Sequence, residues 1–172
     1  MTAYKKSVGG DADRSFSKVF ISDYPLAWDA AVDALKASSM EVVNRESGTL
    51  QTKWIDNTAE RNLIEATGSL APYIKAQYRF RLVLSKGYFQ GSSSVRINVQ
   101  KEQQVQRDVL EGWIAQESDG IQENSLLYRI GKVIDFKKRL LDIENLKLKR
   151  QLERAKEEMN TPLPPEPETP TN

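Results

Sequence analysis

The chain has 172 residues, of which 39% are hydrophobic and 28% charged, and its formal net charge is +1 at pH 7. This length fits one compact domain with extensions or at most two small domains, and the small charge gives no global attraction to nucleic acid or acidic membranes. Cysteine and histidine are both absent, which excludes a thiolate nucleophile, a disulfide, a zinc site with Cys or His ligands and a Ser-His-Asp triad.

The two ends of the chain are polar. Residues 1–15 predict a flexible lead without the apolar core of a signal peptide, so we expect no signal peptide in the sequence as given. Residues 160–172 are rich in proline and predict an extended, disordered tail. No apolar run approaches the roughly 20 residues that a membrane-spanning helix needs.

Residues 18–55 predict a strand, a helix and two further strands in that order. Val19 and Ile21 alternate with polar neighbours, as in a β-strand. Tyr24-Pro25 opens a helix, because proline is tolerated in the first helical turn. The short apolar run at residues 40–43 and the alternating run at residues 49–54 indicate the other two strands.

Two tryptophans in this region are expected to support the core. Trp28 and Leu35 share one stripe of the predicted helix, which is typical of core packing. Trp54 alternates with Leu50 and Thr52, so we expect it on the same face as Leu50, in the core or at its rim.

Residues 56–74 form a longer interruption than the usual connection of about 4–6 residues, so this segment is either functional or mobile. Part of it, residues 58–66, is expected to form a short helix. Leu63, Ile64 and Tyr73 make the segment more apolar than a disordered linker requires, and we predict that they contact a partner.

The clearest strands come next and predict a hairpin. Four apolar residues alternate with polar ones in the first strand: Tyr78, Phe80, Leu82 and Leu84. A second alternating strand follows at residues 95–99, with an extension that carries Val105 and a last short strand at residues 113–115. The turn is expected at residues 86–94. Because Tyr88 and Phe89 cannot both be core residues there, one of them either meets a partner or a membrane surface or packs against residues 56–74.

A helix is predicted over residues 122–158, and its second half resembles a short coiled coil. In a heptad, Asn145, Leu152 and Met159 take position a, whereas Leu141, Leu148 and Ala155 take position d. Lys138 at the preceding position a and Gly131 before it weaken the pattern, so that only about three heptads are sustained. The helix would be about 55 Å long, whereas the preceding domain is about 35 Å across. Its distal half therefore either binds a partner, self or foreign, through Leu141, Asn145, Leu148 and Leu152, or stands in solvent.

Few residues suggest chemistry. Two carboxylate groups could serve acid–base catalysis or bind an ion, namely Asp56 with Glu60 and Glu65, and Glu117 with Asp119, but chance explains such pairs in an acid-rich chain. Arg79, Arg81 and Arg96 could line the wet face of the hairpin as an anion surface, although a solvated face is favoured. We predict no catalytic residue, no cofactor, no metal site and no nucleic-acid partner.

Three runs resemble a known family. The run YPLAWDAAVDAL at residues 24–35, the run GTLQTKW at residues 48–54 and the run SDGIQENSLLYRIG at residues 118–131 are similar to the repeated unit of the BamC/NlpB-type outer-membrane lipoproteins. The resemblance covers roughly residues 16–135. It implies a helix-grip domain, in which a curved antiparallel sheet grips one long helix.

The resemblance also implies a role. Members of that family are non-enzymatic accessory subunits of the β-barrel assembly machine and are anchored by a lipidated cysteine. This chain differs in having one such domain rather than two and no cysteine, as expected if it begins after the anchor. The implied location is the periplasmic side of the outer membrane, with envelope proteins as partners and membrane contact only through the lipid anchor.

The sequence thus predicts an α+β protein with a helix-grip-like curved antiparallel sheet packed on helices and a long C-terminal helix that extends beyond the domain. The predicted organisation is a lead at residues 1–15, the domain at 16–135, the distal helix at 136–159 and a tail at 160–172. The predicted function is a non-enzymatic envelope accessory lipoprotein. The alternative is a carrier of a small apolar ligand between sheet and helix, and an enzyme ranks third.

Overall fold

The computed structural model describes residues 15–65 and 72–160, and within them it confirms the predicted α+β fold class with one open antiparallel sheet. The elements in chain order are β1 (Ser15–Ile21), α1 (Tyr24–Ala34), β2 (Met40–Asn44), β3 (Thr49–Thr52), β4 (Ile55–Asp56), α2 (Thr58–Glu65), β5 (Lys75–Phe89), β6 (Ser92–Gln106), β7 (Ile114–Gln116) and α3 (Ile121–Asn160). The predicted strand–helix–strand–strand order and the short helix α2 are both confirmed.

Strands β5 and β6, with 15 residues each, form the centre of the sheet. The main strand order is β1-β6-β5-β3-β2, and the short strands β4 and β7 pair with β5 and β6 respectively. Strands β3 and β4 therefore follow one another along β5, whereas β1 and β7 follow one another along β6. The long hairpin thus positions every other strand except β2.

The hairpin between β5 and β6 is confirmed, but its predicted nine-residue turn is wrong. Pairing continues to Phe89 opposite Ser92, so that only Gln90 and Gly91 connect the strands. Both have positive φ, 49° and 79°, as in the type I′ turn that matches the twist of paired strands. Gly87 lies within the predicted turn, but in the structure it pairs with Ser94 inside the ladder.

One face of the sheet packs against α1 and the first part of α3. Trp28 and Leu35 of α1 are buried there, which confirms their predicted place in the core. The other large members of this cluster come from four strands and α3: Phe20, Leu50, Phe80, Leu82, Leu84, Val95, Ile97, Val99, Leu126, Leu127, Ile130 and Ile134. Burial of these apolar side chains is the main stabilising term of the domain.

The face of β1 is set by Phe20. Phe20 is buried in the core, and Phe16 packs against the same cluster, whereas Val19 and Ile21 are exposed. Both sets alternate with period two, so either could have faced inward. The two aromatic rings remove more apolar area from water than the two aliphatic side chains would.

The prediction that Trp54 shares the face of Leu50 is wrong. Leu50 and Thr52 are buried, but Lys53 and Trp54 leave the ladder between β3 and β4, and Trp54 is exposed. The Thr52 hydroxyl accepts a hydrogen bond from the Phe80 backbone N–H at 3.0 Å. Between the pairs Gln51–Arg81 and Ile55–Tyr78, three residues of this segment stand opposite two of β5, and the one extra residue shifts the alternation to the other face.

Helix α3 has 40 residues and would measure about 60 Å at 1.5 Å per residue. The chain divides into two compact units between Asp135 and Phe136, so that the first unit contains the sheet and the second contains the distal part of α3. The predicted lead and tail lie outside the described residues, except for Ser15 and Asn160.

Within the described residues, none of the helices combines the length and the apolar character that crossing a membrane requires.

Candidate functional site

The tip of the β5–β6 hairpin exposes two aromatic rings. Tyr88 is 85% exposed and Phe89 is 48% exposed, although both belong to a paired strand. At this exposure the Tyr88 ring does not pack against the described residues of the 56–74 segment, which are 56–65 and 72–74. Because consecutive strand residues face opposite sides of a sheet, the two rings lie on opposite faces of the hairpin tip, and exposed aromatic rings at the end of a rigid hairpin are typical of a contact region.

A depression beside the rings has a floor of small residues. The strand register places Gly87 opposite Ser94 and Ser85 opposite Arg96, so little side-chain volume fills this part of the outer face. The depression measures about 330 Å³. It is large enough for one side chain of a partner protein.

The walls of the depression come from β1, β5 and β6. Val19 lies opposite Arg96 and lines the depression, and the exposed Ile21 lies opposite Ser94 on the same face of the sheet. Tyr88, Phe89, Val19, Ile21 and Arg96 together are called the hairpin-tip surface below. The sequence indicated Tyr88 and Phe89 but missed the other three, since the pairing of β1 with β6 brings them there.

The rim of this surface is positively charged. Arg96 lines the depression, whereas the Lys86 side chain alternates to the other face of β5, where its ammonium lies 4.8 Å from the centre of the Tyr24 ring. This cation–π contact orients Lys86 over the N-terminal turn of α1. A depression with a small, partly polar floor, aliphatic and aromatic walls and Arg96 at its rim suits a partner side chain that has a carboxylate close by.

The distal part of α3 exposes a second apolar row. Leu141, Leu148 and Leu152 are all about half exposed, and Asn145 between them is also exposed. Their spacings of seven and four residues place them on one side of the helix. These four residues are called the distal stripe, and every one of them was predicted as a partner-contacting residue.

The three candidates in residues 56–74 behave differently from one another. Leu63 is exposed on α2, and the side chain of Ile64 lies outside the described residues. Tyr73 is buried beside Ala76 and Val105, so its assignment to a partner surface is wrong.

Tyr73 instead joins elements of the domain. Its hydroxyl accepts hydrogen bonds from Arg107 at 2.9 Å and from Gln116 at 3.2 Å. Asn62 of α2 bonds both the Tyr73 N–H and the Tyr73 carbonyl. The aromatic ring that suggested a contact surface therefore anchors the chain before β5 to α2, β6 and β7.

The predicted row of arginines is not one surface. Arg79 forms a salt bridge with Glu102 at 2.7 Å and a longer one with Glu41 at 3.5 Å. Its guanidinium also lies 4.6 Å from the centre of the Trp54 ring, whereas Arg96 lies near the hairpin tip. These pairings neutralise the charge of Arg79, and they favour a solvated face over an anion-binding surface.

Two of the predicted carboxylates act as helix caps. Asp56 accepts hydrogen bonds from the Thr58 N–H at 3.1 Å and the Thr58 hydroxyl at 3.2 Å, at the start of α2. Asp119 accepts a hydrogen bond from the Ile121 N–H at 3.0 Å, at the start of α3. Both satisfy N–H groups that a helix leaves open at its N-terminus. Across the described parts of the chain, no group of three or more acidic side chains is arranged to hold a metal ion.

A buried charged pair lies at the other end of the core. Lys101 is 9% exposed and Glu123 is fully buried. Burial lowers the pKa of Lys101, while the nearby carboxylates of Glu123 and Asp119 raise it again in part. The Lys101 ammonium also lies 5.1 Å from the centre of the Tyr78 ring. Neither carboxylate oxygen of Glu123 has a hydrogen-bond partner, so the two side chains attract each other by charge without a direct hydrogen bond.

Comparison with known proteins adds no relative. No protein-family model matches the chain, and no curated protein matches its sequence.

Proposed function

We propose that this protein is a non-enzymatic accessory protein of the cell envelope that binds a protein partner through the hairpin-tip surface. The observation that carries the proposal is the exposure of Tyr88 and Phe89 beside a depression of about 330 Å³. The envelope location, the lipid anchor and a role in outer-membrane protein assembly are proposed from the resemblance to the BamC/NlpB-type lipoproteins.

The chemistry of this surface favours a protein partner. Tyr and Phe supply large contact areas with few rotatable bonds, so ordering them on binding costs little entropy. The small floor of Gly87 and Ser94 admits an inserted side chain, and Arg96 can bind a carboxylate at the rim. The partner segment is therefore expected to present an apolar side chain next to an acidic group.

The proposal that the protein is not an enzyme rests on its own side chains. The chain has no histidine and no cysteine, and these are the commonest general base and the strongest nucleophile among side chains. Asp56 and Asp119, two of the carboxylates that could have served acid–base catalysis, cap helices instead.

The alternative of an apolar carrier has no specific observation in its favour. The region between the sheet and the helices that such a ligand would need is occupied by packed side chains, including Trp28, Phe80, Leu82 and Ile130, all of which are buried. Protein interiors of this kind are close-packed.

The proposal can be tested with a photo-crosslinking amino acid placed at Tyr88 in the native organism. We expect one discrete adduct with an envelope protein, identified by mass spectrometry, and recovery of the adduct with the outer membrane on fractionation. Leu110, which is at least as exposed as Tyr88, is the matched control position and should give no such adduct.

The double variant Tyr88→Ser, Phe89→Ser should abolish the function of the gene with only a small change in melting temperature, because Tyr88 is almost fully exposed and Phe89 is half exposed. The proposed function fails if Tyr88 gives no adduct beyond that at Leu110, or if this double variant complements a deletion as well as the natural chain does.

A further inference from the structure

We propose that the distal stripe pairs with the same stripe of a second copy of this chain, as a parallel, in-register, two-stranded coiled coil. The proposal goes beyond the proposed function and does not depend on it, because all its residues belong to the second unit of the chain. It rests on three observations, which concern exposure, the flanking charges and Asn145.

Exposure makes the stripe available. Leu141, Leu148 and Leu152 are each about half exposed, and they recur at the spacing that brings two helices together at positions a and d. A row of leucines in water is stabilised when a second helix covers it.

The flanking charges fit an identical chain. In a parallel, in-register pair, each position g faces position e of the next heptad on the other helix. Glu144 then faces the second copy's Lys149, and Lys137 faces the second copy's Asp142. Two-fold symmetry repeats both pairs, so four contacts of opposite charge flank the seam. An unrelated partner would need to present this same pattern.

Asn145 selects the parallel direction. In the parallel pair it meets the second copy's Asn145, and the two amides can hydrogen-bond each other across the seam. In an antiparallel pair it would face the second copy's Leu148, which would leave a buried amide without a partner. Asp142 could face Lys149 in the antiparallel arrangement too, so Asn145 and not the charges decides the direction.

The first test is the oligomeric state of the full chain by sedimentation equilibrium, over a dilution series from about 300 μM to about 1 μM, because dimerisation follows mass action. We expect a species of twice the mass of one chain that dissociates on dilution. Leu141→Glu should weaken this dimer at least 100-fold, since a buried carboxylate would have no partner. Ile143→Glu is the matched control, because Ile143 is 49% exposed and Leu141 is 47% exposed, on different sides of the same helix.

The charge contacts have their own test. Glu144→Lys should weaken the dimer about 5- to 10-fold, since it places like charges opposite each other. Adding Lys149→Glu to the same chain should restore the natural affinity. A defect that is not restored by the second change would contradict the assigned register.

The direction is tested by disulfide formation, which the cysteine-free chain makes unambiguous. A chain bearing Leu141→Cys should form a disulfide with its own copy under mild oxidation, whereas a chain bearing Arg150→Cys, at the outward position f, should not. Mixing chains bearing Leu141→Cys with chains bearing Leu152→Cys distinguishes the directions, since only antiparallel helices bring those two positions together.

Three results would overturn the proposal: a monomer throughout the dilution series, a dimer weakened by Ile143→Glu rather than by Leu141→Glu, or cross-linking between positions 141 and 152 in place of 141 with itself. None of them bears on the adduct expected at Tyr88, so the proposed function and this inference fail separately.

Discussion

At the scale of single residues, Gly120 shows how one position joins the sheet to a helix. Its φ is +80°, and a Cβ placed on it would lie 2.2 Å from the nearest carbon of the Phe16 ring. The Gly120 N–H donates a hydrogen bond to the Ser118 hydroxyl, and the Ile121 N–H donates one to the Asp119 carboxylate. A glycine is therefore needed twice, for its backbone conformation and for the space that Phe16 occupies.

Gly112 has only the first of these requirements, the positive φ, so it allows the two effects to be measured apart. Its φ is +72°, but nothing lies within 4 Å of a Cβ built on it. We expect Gly112→Ala to lower the free energy of unfolding by about 1–2 kcal/mol, which is the cost of positive φ alone. Gly120→Ala should cost about 3 kcal/mol or more, since overpacking against Phe16 adds about 1–3 kcal/mol.

Urea denaturation of the two variants measures these costs. Combining Phe16→Ala with Gly120→Ala should recover part of the loss relative to the sum of the single changes, because removing the ring relieves the clash. Equal losses in Gly112→Ala and Gly120→Ala would show that Phe16 does not constrain this turn.

At the scale of elements, Lys101 of β6 and Glu123 of α3 carry opposite charges into the interior of the domain. Both side chains are largely removed from water, and the attraction between them opposes the cost of burying each charge. Such pairs are often no more stable than an apolar pair of similar volume, but removing one member leaves the other uncompensated.

A double-mutant cycle on this pair is our second prediction. Lys101→Met alone should lower the free energy of unfolding by about 3–5 kcal/mol, because the buried carboxylate of Glu123 loses its cation. Lys101→Met combined with Glu123→Gln should lie within about 1–2 kcal/mol of the natural chain. Additive effects in chemical denaturation would mean that the two side chains do not interact.

The free energy of unfolding should also depend on pH through Lys101. The folded-state pKa of Lys101 is lowered from 10.5 by burial, so the unfolded chain binds more protons as pH rises from that lowered pKa to 10.5. Stability due to Lys101 therefore rises with pH across this interval. The difference in unfolding free energy between the natural chain and Lys101→Met should grow in the same direction, whereas a constant difference would argue against a buried lysine.

At the scale of the whole molecule, the chain divides after Asp135 into two compact units. The last large core residue of α3 is Ile134, and the half-exposed leucines of the same helix begin at Leu140. The apolar side chains of α3 thus change from packed to exposed within two turns.

Ending the chain after Lys138 is our third prediction. The remaining protein should unfold cooperatively, with a free energy of unfolding within about 1 kcal/mol of that of full-length Leu141→Glu, because it keeps every residue of the core cluster. It should also be monomeric by sedimentation. A truncated chain that does not fold would place the distal residues in the stabilising core and remove the reason for treating them as a contact surface.

Much of the fold could be read from the sequence because its signals are local. Period-two alternation in β5 and β6, glycine near the turn, and the apolar stripe of Trp28 and Leu35 each depend on neighbours within a few residues. The same holds for the distal stripe, whose residues lie on one helix and need no tertiary contact to be identified.

Other features were decided by packing between distant segments. Phe20 rather than Val19 faces inward because of what α3 and β6 place beside β1. The Tyr73 ring is buried against Ala76 and Val105, and Trp54 changes face because the segment between β3 and β4 has one residue more than β5 opposite it. Local patterns of residues are enough to predict the elements, their order and the helical stripe, since backbone periodicity is a property of adjacent residues. Which faces are wet and which residues meet at the hairpin tip follow from packing, because burial depends on what the rest of the chain places opposite.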